Sequence, residues 1–511
     1  MRAAARAAVV SPAAACGCSR RRDACVGLAA AMFLAGLPAP GFATPPEFQP
    51  ARDTIADVMA DDSLPSVVVA VSRGGKVLWE EGFGWADKEK KIRATEHTAY
   101  SLASISKPYT ATALMVLVQR GKVSLDAPAN DYLGAQKLVA HVGDARGATI
   151  RRLANHTSGL PLHYQFFYED EPPARPSMDE SIRRYGHLTR PPGEAYLYSN
   201  FGFGVLEYVV ERVSGKPYDA FMREEVFQPL GMKESAVNRS PDLGAAAVAV
   251  RYGRNGAPLP FYDFDHRGAS AVYASAHDLL RFGMFHLKDR VPGQERILSD
   301  ANLDAMQVPT AIDDEDANGK GRRGIGWGMH TIHGLDTVSH MGSMGGVSTK
   351  LTLIPAHDIA IVVLTNVLTE RVPDIEAAII HTLLPQTIRN REGVTIPPAF
   401  VGRWAGAVHG YAGEVPVRLE IDAGGRVLTT VGAAAQFEVS RVSVAPNGSL
   451  SLADVPGDIR APDAARYPYR LDFSLTPRED RLTGAVSAVS RPLADRIGNA
   501  MSYWVELRRE R

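Results

Sequence analysis

Strand-like segments occur near residue 66 and again beyond residue 335, and the sequence between them is largely helical. Near the start, apolar runs flank Gly74 and Gly75, a pattern typical of a β-hairpin. Beyond residue 335, alternating or apolar runs cover 337–340, 348–354 and 359–364. We therefore expect one antiparallel sheet that combines strands from both ends of this segment, with helices around it. This arrangement is an α+β fold.

Helical periodicity places three amphipathic helices between these strands. The first has apolar residues at positions 111, 114, 115 and 118 and ends at Gly121. Because proline is tolerated only in the first turn, Pro108 sets the start of this helix close to Ser104. A second helix ends at Gly215, and a capping box at 275–278 begins a third. An all-helical region beside the sheet follows from these segments.

The C-terminal part of the chain has a different pattern. A polar segment at 386–396 interrupts the helical sequence, and short alternating strands follow from residue 397 to residue 511. We interpret 50–385 as the main domain, 386–396 as a linker and 397–511 as a small all-β domain, either a barrel or a sandwich.

The first 43 residues differ in composition from the rest. They contain five arginines, a short apolar run at 26–37 and small residues at Gly41 and Ala43. A basic region, a short apolar stretch and a small-x-small end predict a secretory signal peptide, which implies a periplasmic or secreted protein. All three cysteines lie in this segment, so we expect neither a disulfide nor a cysteine-bound metal in the mature chain.

The charge of the chain limits the classes of partner that we expect. Its formal net charge is −1, which gives no indication of nucleic-acid binding. The apolar run in the leader is too short to span a bilayer comfortably, so we expect no stable membrane span after its removal. A small-molecule or peptide substrate is the expected partner, and an oligomer is compatible with the sequence.

Ser104 and Lys107 form an S-x-x-K pair at the start of the first helix. This spacing puts a hydroxyl and an amine one turn apart on the same helix face. A serine hydroxyl becomes a good nucleophile only when a nearby group removes its proton, and a desolvated lysine can do so. An ordinary helix start with an exposed lysine would have the same spacing, so the pair needs further support.

Three more segments follow in order along the chain. His156-Thr-Ser-Gly-Leu-Pro161 comes after the first helix, and Tyr198-Ser199-Asn200 comes directly before the second. His340-Met341-Gly342-Ser343 lies at the end of a strand in the closing part of the sheet. With these segments the chain resembles the serine β-lactamase and penicillin-binding-protein superfamily, in its class C β-lactamase-related branch. The resemblance covers roughly residues 50–370 and implies an active site between the helical region and the sheet.

The resemblance implies catalytic roles for three residues. Ser104 would be the acylated nucleophile, and Lys107 would take or relay its proton. Tyr198 would be the second acid or base, protonating the leaving group and then activating the deacylating water. Whether Lys107 or Tyr198 begins acylation stays open.

The resemblance also implies residues that bind the substrate. Asn200 would hold Lys107 and the substrate carbonyl. The backbone N–H groups of Ser104 and Ser343 would form the oxyanion hole, and Gly342 would let the strand approach the substrate closely. No metal or cofactor is expected in this mechanism.

His340 departs from the β-lactamase pattern, in which a lysine supplies a positive charge at this position. A histidine is mostly neutral near pH 7. We therefore expect an exported serine hydrolase that acts on an ester or a peptide/amide, as esterases, D-aminopeptidases and DD-peptidases do. The alternatives are a β-lactamase and a non-catalytic envelope-binding module.

Other polar and aromatic segments receive simpler interpretations. We expect His156 and His277 to be structural hydrogen-bonding residues. The aromatic segment 164–168 either lines a substrate pocket or fills space under a long loop. The charged run 313–323 is interpreted as a solvated loop.

Overall fold

The computed structural model describes residues 46–141, 143–169, 175–244, 246–313, 321–385, 396–410, 412–444, 449–461, 464–466, 468–490 and 500–510. The predicted signal peptide at 1–43 lies outside the described residues, and so does all of the predicted linker except Ile396. Among the described helices, none has the length and apolar character needed to cross a membrane.

The described helices and the strands of the main part of the chain have the following bounds. The helices are α1 (Gln49–Asp62), α2 (Ser106–Gln119), α3 (Ile150–Ala154), α4 (Met178–Tyr185), α5 (Asn200–Ser214), α6 (Tyr218–Met222), α7 (Arg267–Ser270), α8 (Ala276–His286), α9 (Asp300–Met306) and α10 (Val372–Leu383). The strands are β1 (Ser66–Arg73), β2 (Lys76–Asp87), β3 (Ile92–Arg93), β4 (Tyr100–Ser101), β5 (Val139–Ala140), β6 (Phe166–Tyr168), β7 (His187–Leu188), β8 (Ser235–Val237), β9 (Tyr262–Phe264), β10 (Val272–Ala274), β11 (Ala311–Asp313), β12 (Gly321–Arg323), β13 (Gly328–Ile332), β14 (Leu335–Met344), β15 (Val347–Ile354) and β16 (Ile359–Thr365).

The main sheet joins the two ends of this segment, as the sequence predicts. Its strand order is β11-β12-β13-β14-β15-β16-β1-β2-β3, and every neighbouring pair is antiparallel. The early strand β1 and the late strand β16 pair directly, from Val67 opposite Thr365 to Arg73 opposite Ile359. The group of strands that comes from the later part of the chain begins before residue 335, because the short strands β11 to β13 also join the sheet.

Helices cover both faces of this sheet. On β1, Val67, Val69 and Val71 pack in one core with apolar residues of α1 and α10. Val68 and Ala70 point to the opposite face and join a larger core that contains residues of α2, α5 and α8. Because successive strand residues face opposite sides, burial of all five places β1 in the middle of a three-layer structure.

The predicted helix boundaries that position the site are confirmed. A 3₁₀ turn at Ala103–Ile105 leads into α2, which ends just before Gly121. The N-cap of α5 is Ser199, whose Oγ accepts the Gly202 N–H at 3.0 Å. The third helix, α8, has the predicted Ser275 cap.

The C-terminal part forms one nine-stranded antiparallel sheet. Its strands are β17 (Gly402–Gly410), β18 (Gly413–Ile421), β19 (Val427–Val431), β20 (Phe437–Glu438), β21 (Arg441–Val444), β22 (Leu450–Val455), β23 (Tyr469–Arg478), β24 (Arg481–Ser490) and β25 (Ala500–Arg509). Their order is β20-β19-β18-β17-β25-β24-β23-β22-β21. The two edge strands are therefore consecutive in sequence, joined only by residues 439–440.

This connection determines the shape of the C-terminal sheet. Residues 438 and 441 can lie at most about 11 Å apart, so the two edges of the sheet must come close together. The sheet consequently curves into a barrel-like form around its own core, which includes Trp404, Leu419 and Phe473. Of the two predicted forms, a barrel or a sandwich, the structure is nearer to the barrel, as a half-barrel whose edge strands β20 and β21 are not paired with each other.

Candidate active site

Ser104 lies in the 3₁₀ turn that precedes α2, at the floor of a cavity of about 800 Å³. The residue is partly exposed, whereas its neighbours Ala103 and Ile105 are fully buried. Ala103 has a φ of 49°, a conformation that residues with a side chain rarely adopt. Such strain is tolerated where the surrounding structure holds the backbone firmly, and it is common at functional sites.

Lys107 lies one turn further along, and its side chain is completely buried. Its Nζ donates to Ser104 Oγ at 3.0 Å, to Asn200 Oδ1 at 2.8 Å and to the carbonyl oxygen of Ala269 at 3.0 Å. Burial, together with the positive charge of Arg323, lowers the pKa of Lys107 well below its usual value. A neutral amine can keep two of these bonds as a donor and turn its lone pair towards the serine hydroxyl.

Tyr198 is the second side chain that reaches Ser104. Its hydroxyl donates to Ser104 Oγ at 3.2 Å, and the Nζ of Lys107 lies 4.9 Å from the centre of its ring. Burial raises the pKa of Tyr198 to about 12, although its bond to Ser104 and the charge of Arg323 act in the other direction. The phenol is therefore protonated near neutral pH and acts as a hydrogen-bond donor.

His156 supports the segment that carries Tyr198. Its Nδ1 accepts the backbone N–H of Ser199 at 3.1 Å, and its ring stacks on the ring of Tyr198 with centres 4.4 Å apart. Burial and the nearby positive charges lower its pKa well below the usual value, so the ring is neutral and can accept this bond. The hydrogen-bonding role predicted for His156 is confirmed.

The strand β14 forms the other wall of the site and carries His340, Gly342 and Ser343. His340 is buried, and its Nδ1 bonds to the carbonyl oxygen of Met341 at 2.8 Å. Burial and the charges of Lys107 and Arg323 lower the pKa of His340 well below its usual value. With Nδ1 as the donor of a neutral ring, Nε2 is a hydrogen-bond acceptor.

Gly342 is required by the close approach of β14 to the turn that holds Ser104. A Cβ at this position would overlap the carbonyl oxygen of Leu102 and the hydroxyl of Thr349, which themselves are hydrogen-bonded at 3.0 Å. The backbone of Ser343 consequently lies near the turn, and Ser343 and Ser104 line the same cavity.

The pairing of β14 leaves one of its edges open beside the cavity. Its register with β13 ends at Ser339, whereas its register with β15 continues to Met344. Residues 340–344 thus have a strand neighbour on one side only, among the residues that the structure describes. An extended ligand backbone can hydrogen-bond to such an edge.

Arg323 is a cation of the site that sequence reasoning missed. It lines the cavity and forms an ion pair with the buried Asp313, with Nε and Nη2 at 2.9 Å and 2.5 Å from the same carboxylate oxygen. The interpretation of 313–323 as a solvated loop is wrong at both of its ends, because β11 and β12 pair and bring these two residues under cover. Residues 314–320 lie outside the described part of the chain.

Aromatic and apolar side chains complete the cavity wall. Leu162, Tyr164, Phe166 and Phe264 line it, whereas Phe167 is buried elsewhere and Tyr168 packs against Tyr262. The aromatic segment thus serves both of the roles left open by the sequence. Part of it faces the cavity and part of it fills space.

The comparisons with known proteins agree with this architecture. The profile of the family described as Beta-lactamase matches residues 51–384. The penicillin-binding protein 4 of Amycolatopsis lactamdurans is 29% identical over 312 residues, which cover 59% of this chain and 81% of that protein. The unguisins hydrolase of Aspergillus campestris is 27% identical over 320 residues, which cover 59% of this chain and 58% of that protein.

A solved structure extends the likeness to the C-terminal sheet. The octameric penicillin-binding protein homologue from Pyrococcus abyssi matches with a TM-score of 0.60 and 21% identity, covering 90% of this chain and 99% of that one. At this identity the match shows the fold alone. With its family profile covering most of the main part of the chain, the protein belongs to the beta-lactamase family and is a serine hydrolase.

Proposed function

We propose that this protein is an exported serine hydrolase that cleaves an ester or a peptide/amide through an acyl-enzyme intermediate on Ser104. One observation carries the proposal. The hydroxyl of Ser104 lies within hydrogen-bond distance of two proton carriers, the buried Lys107 Nζ at 3.0 Å and the partly buried Tyr198 OH at 3.2 Å. A nucleophile with a base and an acid in reach is the minimum that acyl transfer requires.

In the proposed acylation, Ser104 Oγ attacks the substrate carbonyl carbon and gives its proton to the neutral Lys107 amine. The backbone N–H groups of Ser104 and Ser343 stabilise the oxyanion that forms. Tyr198 protonates the leaving group as the carbonyl–heteroatom bond breaks, and the proton held by Lys107 restores the phenol. Deacylation repeats the sequence with water as the nucleophile and Ser104 as the leaving group.

Asn200 has a positioning role in this proposal. Its Oδ1 accepts from Lys107, which fixes the amine beneath the serine, and its amide group lies at the cavity surface. The side-chain N–H groups can then donate to the carbonyl of the acyl part of the substrate.

The substrate class follows from the acceptor character of His340. A lysine here would attract a carboxylate, whereas a neutral Nε2 accepts a hydrogen bond from a hydroxyl or an amide N–H. An extended acyl segment would pair with the open edge of β14, and its apolar groups would meet Tyr164, Phe166 and Phe264. These features favour an ester or a peptide/amide over a β-lactam. The relatives named above are a penicillin-binding protein and a hydrolase.

Export is proposed on the composition of residues 1–43, whose basic start and short apolar run are typical of a signal peptide. The substrate would accordingly be met in the periplasm or outside the cell. Self-association is compatible with this function, since the similar protein from Pyrococcus abyssi is named as octameric.

Labelling with a fluorophosphonate, followed by mass analysis of the adduct, tests the proposal. The unaltered protein and the Ser339→Ala variant, which removes another serine from the same cavity, should both carry one adduct on Ser104. The Ser104→Ala variant should carry none and should lose hydrolysis of p-nitrophenyl esters, D-amino-acid amides and nitrocefin alike. A folded protein that no acylating probe labels would instead favour the non-catalytic binding module.

A further inference from the structure

Behind the cavity wall, His163, Asp265 and His266 bring their side chains together. Asp265 Oδ2 lies 3.0 Å from His163 Nε2 and 3.2 Å from His266 Nε2. One ligand atom from each of the three residues lies within 4.8 Å of the other two. We propose that this His₂Asp cluster binds a divalent transition metal, with Zn²⁺ as the best-fitting ion.

The burial of these groups calls for a ligand. Asp265 is 2% exposed and His266 is fully buried, whereas His163 is partly exposed. Both carboxylate oxygens of Asp265, both ring nitrogens of His266 and Nε2 of His163 are buried without a well-aligned hydrogen bond among the described residues. Polar groups buried in this way cost free energy unless something satisfies them. A metal ion would satisfy the three facing atoms at once.

The chemistry and the spacing fit zinc. Two imidazoles and one carboxylate are a common protein donor set for Zn²⁺, which takes a fourth ligand from water. At metal–ligand distances of about 2.1 Å, tetrahedral ligand atoms lie ~3.4 Å apart. The two measured distances to Asp265 Oδ2 are close to that value, and a small rotation of the side chains would bring the remaining pair into range.

The surroundings of the cluster would hold and shield the ion. The ring of Tyr185 stacks on His163 at 4.2 Å, and Phe201 contacts both imidazoles edge-on. The ring of His266 packs directly on the backbone of α5, because a Cβ on Gly204 would lie 2.7 Å from its Nδ1. These ring contacts fix the orientation of the two imidazoles, and Arg175 donates to the backbone carbonyl of Asp265 at 3.3 Å.

The position of the cluster indicates a structural role for the ion. His163 lies between Leu162 and Tyr164, two residues of the cavity wall, and Asp265 follows Phe264 of the same wall. His266 directly precedes α7, whose Ala269 carbonyl accepts from Lys107. A bound metal would thus link the cavity wall to α7, the helix whose carbonyl orients Lys107. It would not contact the reacting atoms.

Metal content and thermal stability of the full protein test the proposal. After chelation and titration with Zn²⁺, the protein should bind one tightly held ion and its Tm should rise, because a ligand that binds only the folded state stabilises it. The His163→Gln variant should lose the Tm increase. Its affinity for Zn²⁺ should fall by more than the ~10–100-fold that follows loss of an outer hydrogen-bond partner.

The matched control is His141→Ala. His141 and His187 form another close pair, with ring nitrogens 3.2 Å apart, and this pair lies on the surface. The control should keep the bound ion and the Tm increase. Zinc loss in His141→Ala but not in His163→Gln would overturn the proposal.

A measurement on the unaltered protein covers the case in which His163→Gln fails to fold. Co²⁺ bound to two imidazoles and a carboxylate in a four-coordinate site should show intense visible absorption bands, which Zn²⁺ should displace in a one-to-one titration. The absence of both these bands and a Tm increase would overturn the proposal without any variant.

Discussion

Burial acts in opposite ways on Lys107 and Tyr198, the two groups that reach Ser104. Taking a group out of water disfavours its charged form, so it lowers the pKa of the lysine and raises that of the phenol. Both groups are therefore driven towards their neutral forms. A neutral amine can accept a proton and a neutral phenol can donate one, which favours Lys107 as the base that begins acylation.

Arg323 offers a test of this assignment through the pH dependence of hydrolysis. Its charge lowers the pKa of Lys107, so Arg323→Gln should raise that pKa and shift the acid limb of kcat/KM to higher pH by roughly one unit. The sign follows because the active form is the neutral lysine, which a higher pKa makes scarcer at a given pH. A pH profile on a p-nitrophenyl ester measures the shift.

The matched variant Arg323→Lys keeps the charge and should leave the acid limb in place. Loss of packing alone would lower the plateau of both variants and leave both limbs unmoved. That outcome, or an acid limb that moves to lower pH in Arg323→Gln, would remove Lys107 from the role of base.

Some residues of the site could be predicted from the sequence, and others could not. Ser104, Lys107 and Tyr198 belong to short segments whose spacing carries chemical meaning, and the structure brings them together. Arg323 gave no such signal, because its place depends on pairing between β11 and β12 within a polar stretch. The proposed metal cluster could not be predicted from the sequence for the same reason, because the pairing of β6 with β9 brings His163 close to Asp265.

At the scale of elements, the contact between β14 and the turn at Ala103–Ile105 forms the site. The two elements are far apart in the sequence, and they meet closely at Gly342, which has no side chain. The sequence predicted the sheet that brings them together, because long apolar strands such as β15 and β16 have a clear pattern. It missed β11 to β13, which are short, polar and set only by their neighbours.

Gly342→Ala should therefore disturb the geometry of the site more than the addition of a single methyl group would suggest. The added methyl group would push β14 away from Leu102, which displaces the backbone of Ser343 from Ser104. We expect a destabilisation of about 1–3 kcal/mol, typical of overpacking, together with a large loss of kcat. Chemical denaturation and ester hydrolysis measure the two effects.

Gly345→Ala is the control in the same strand region. A Cβ there would meet its nearest atoms at 3.7 Å, an ordinary contact, although Gly345 also lines the cavity. This variant should keep both stability and activity. Equal effects of the two substitutions would show that the close approach at Gly342 is not what holds the site together.

At the scale of the whole molecule, the chain has separate hydrophobic cores. Among the described residues, the cores around the main sheet extend no further than Leu384, and the core of the C-terminal sheet begins at Ile396. In the described part of the chain, the cavity is lined by residues between Ser104 and Leu368. Both observations agree with the sequence-based division at 386–396, which itself stays a prediction.

Cutting the chain within 386–395 tests that division. A protein of residues 44–385 keeps both faces of the main sheet covered and every described residue of the cavity wall, so it should fold alone and form the Ser104 adduct. Its Tm should stay within about 5 °C of the matching transition in the full chain, a change of at most about 3–4 kcal/mol for a domain of this size. Calorimetry should resolve two transitions in the full chain and one in each fragment, since independent cores unfold independently. A fragment that aggregates or lacks a cooperative transition would show that the barrel-like sheet is needed to complete the main domain.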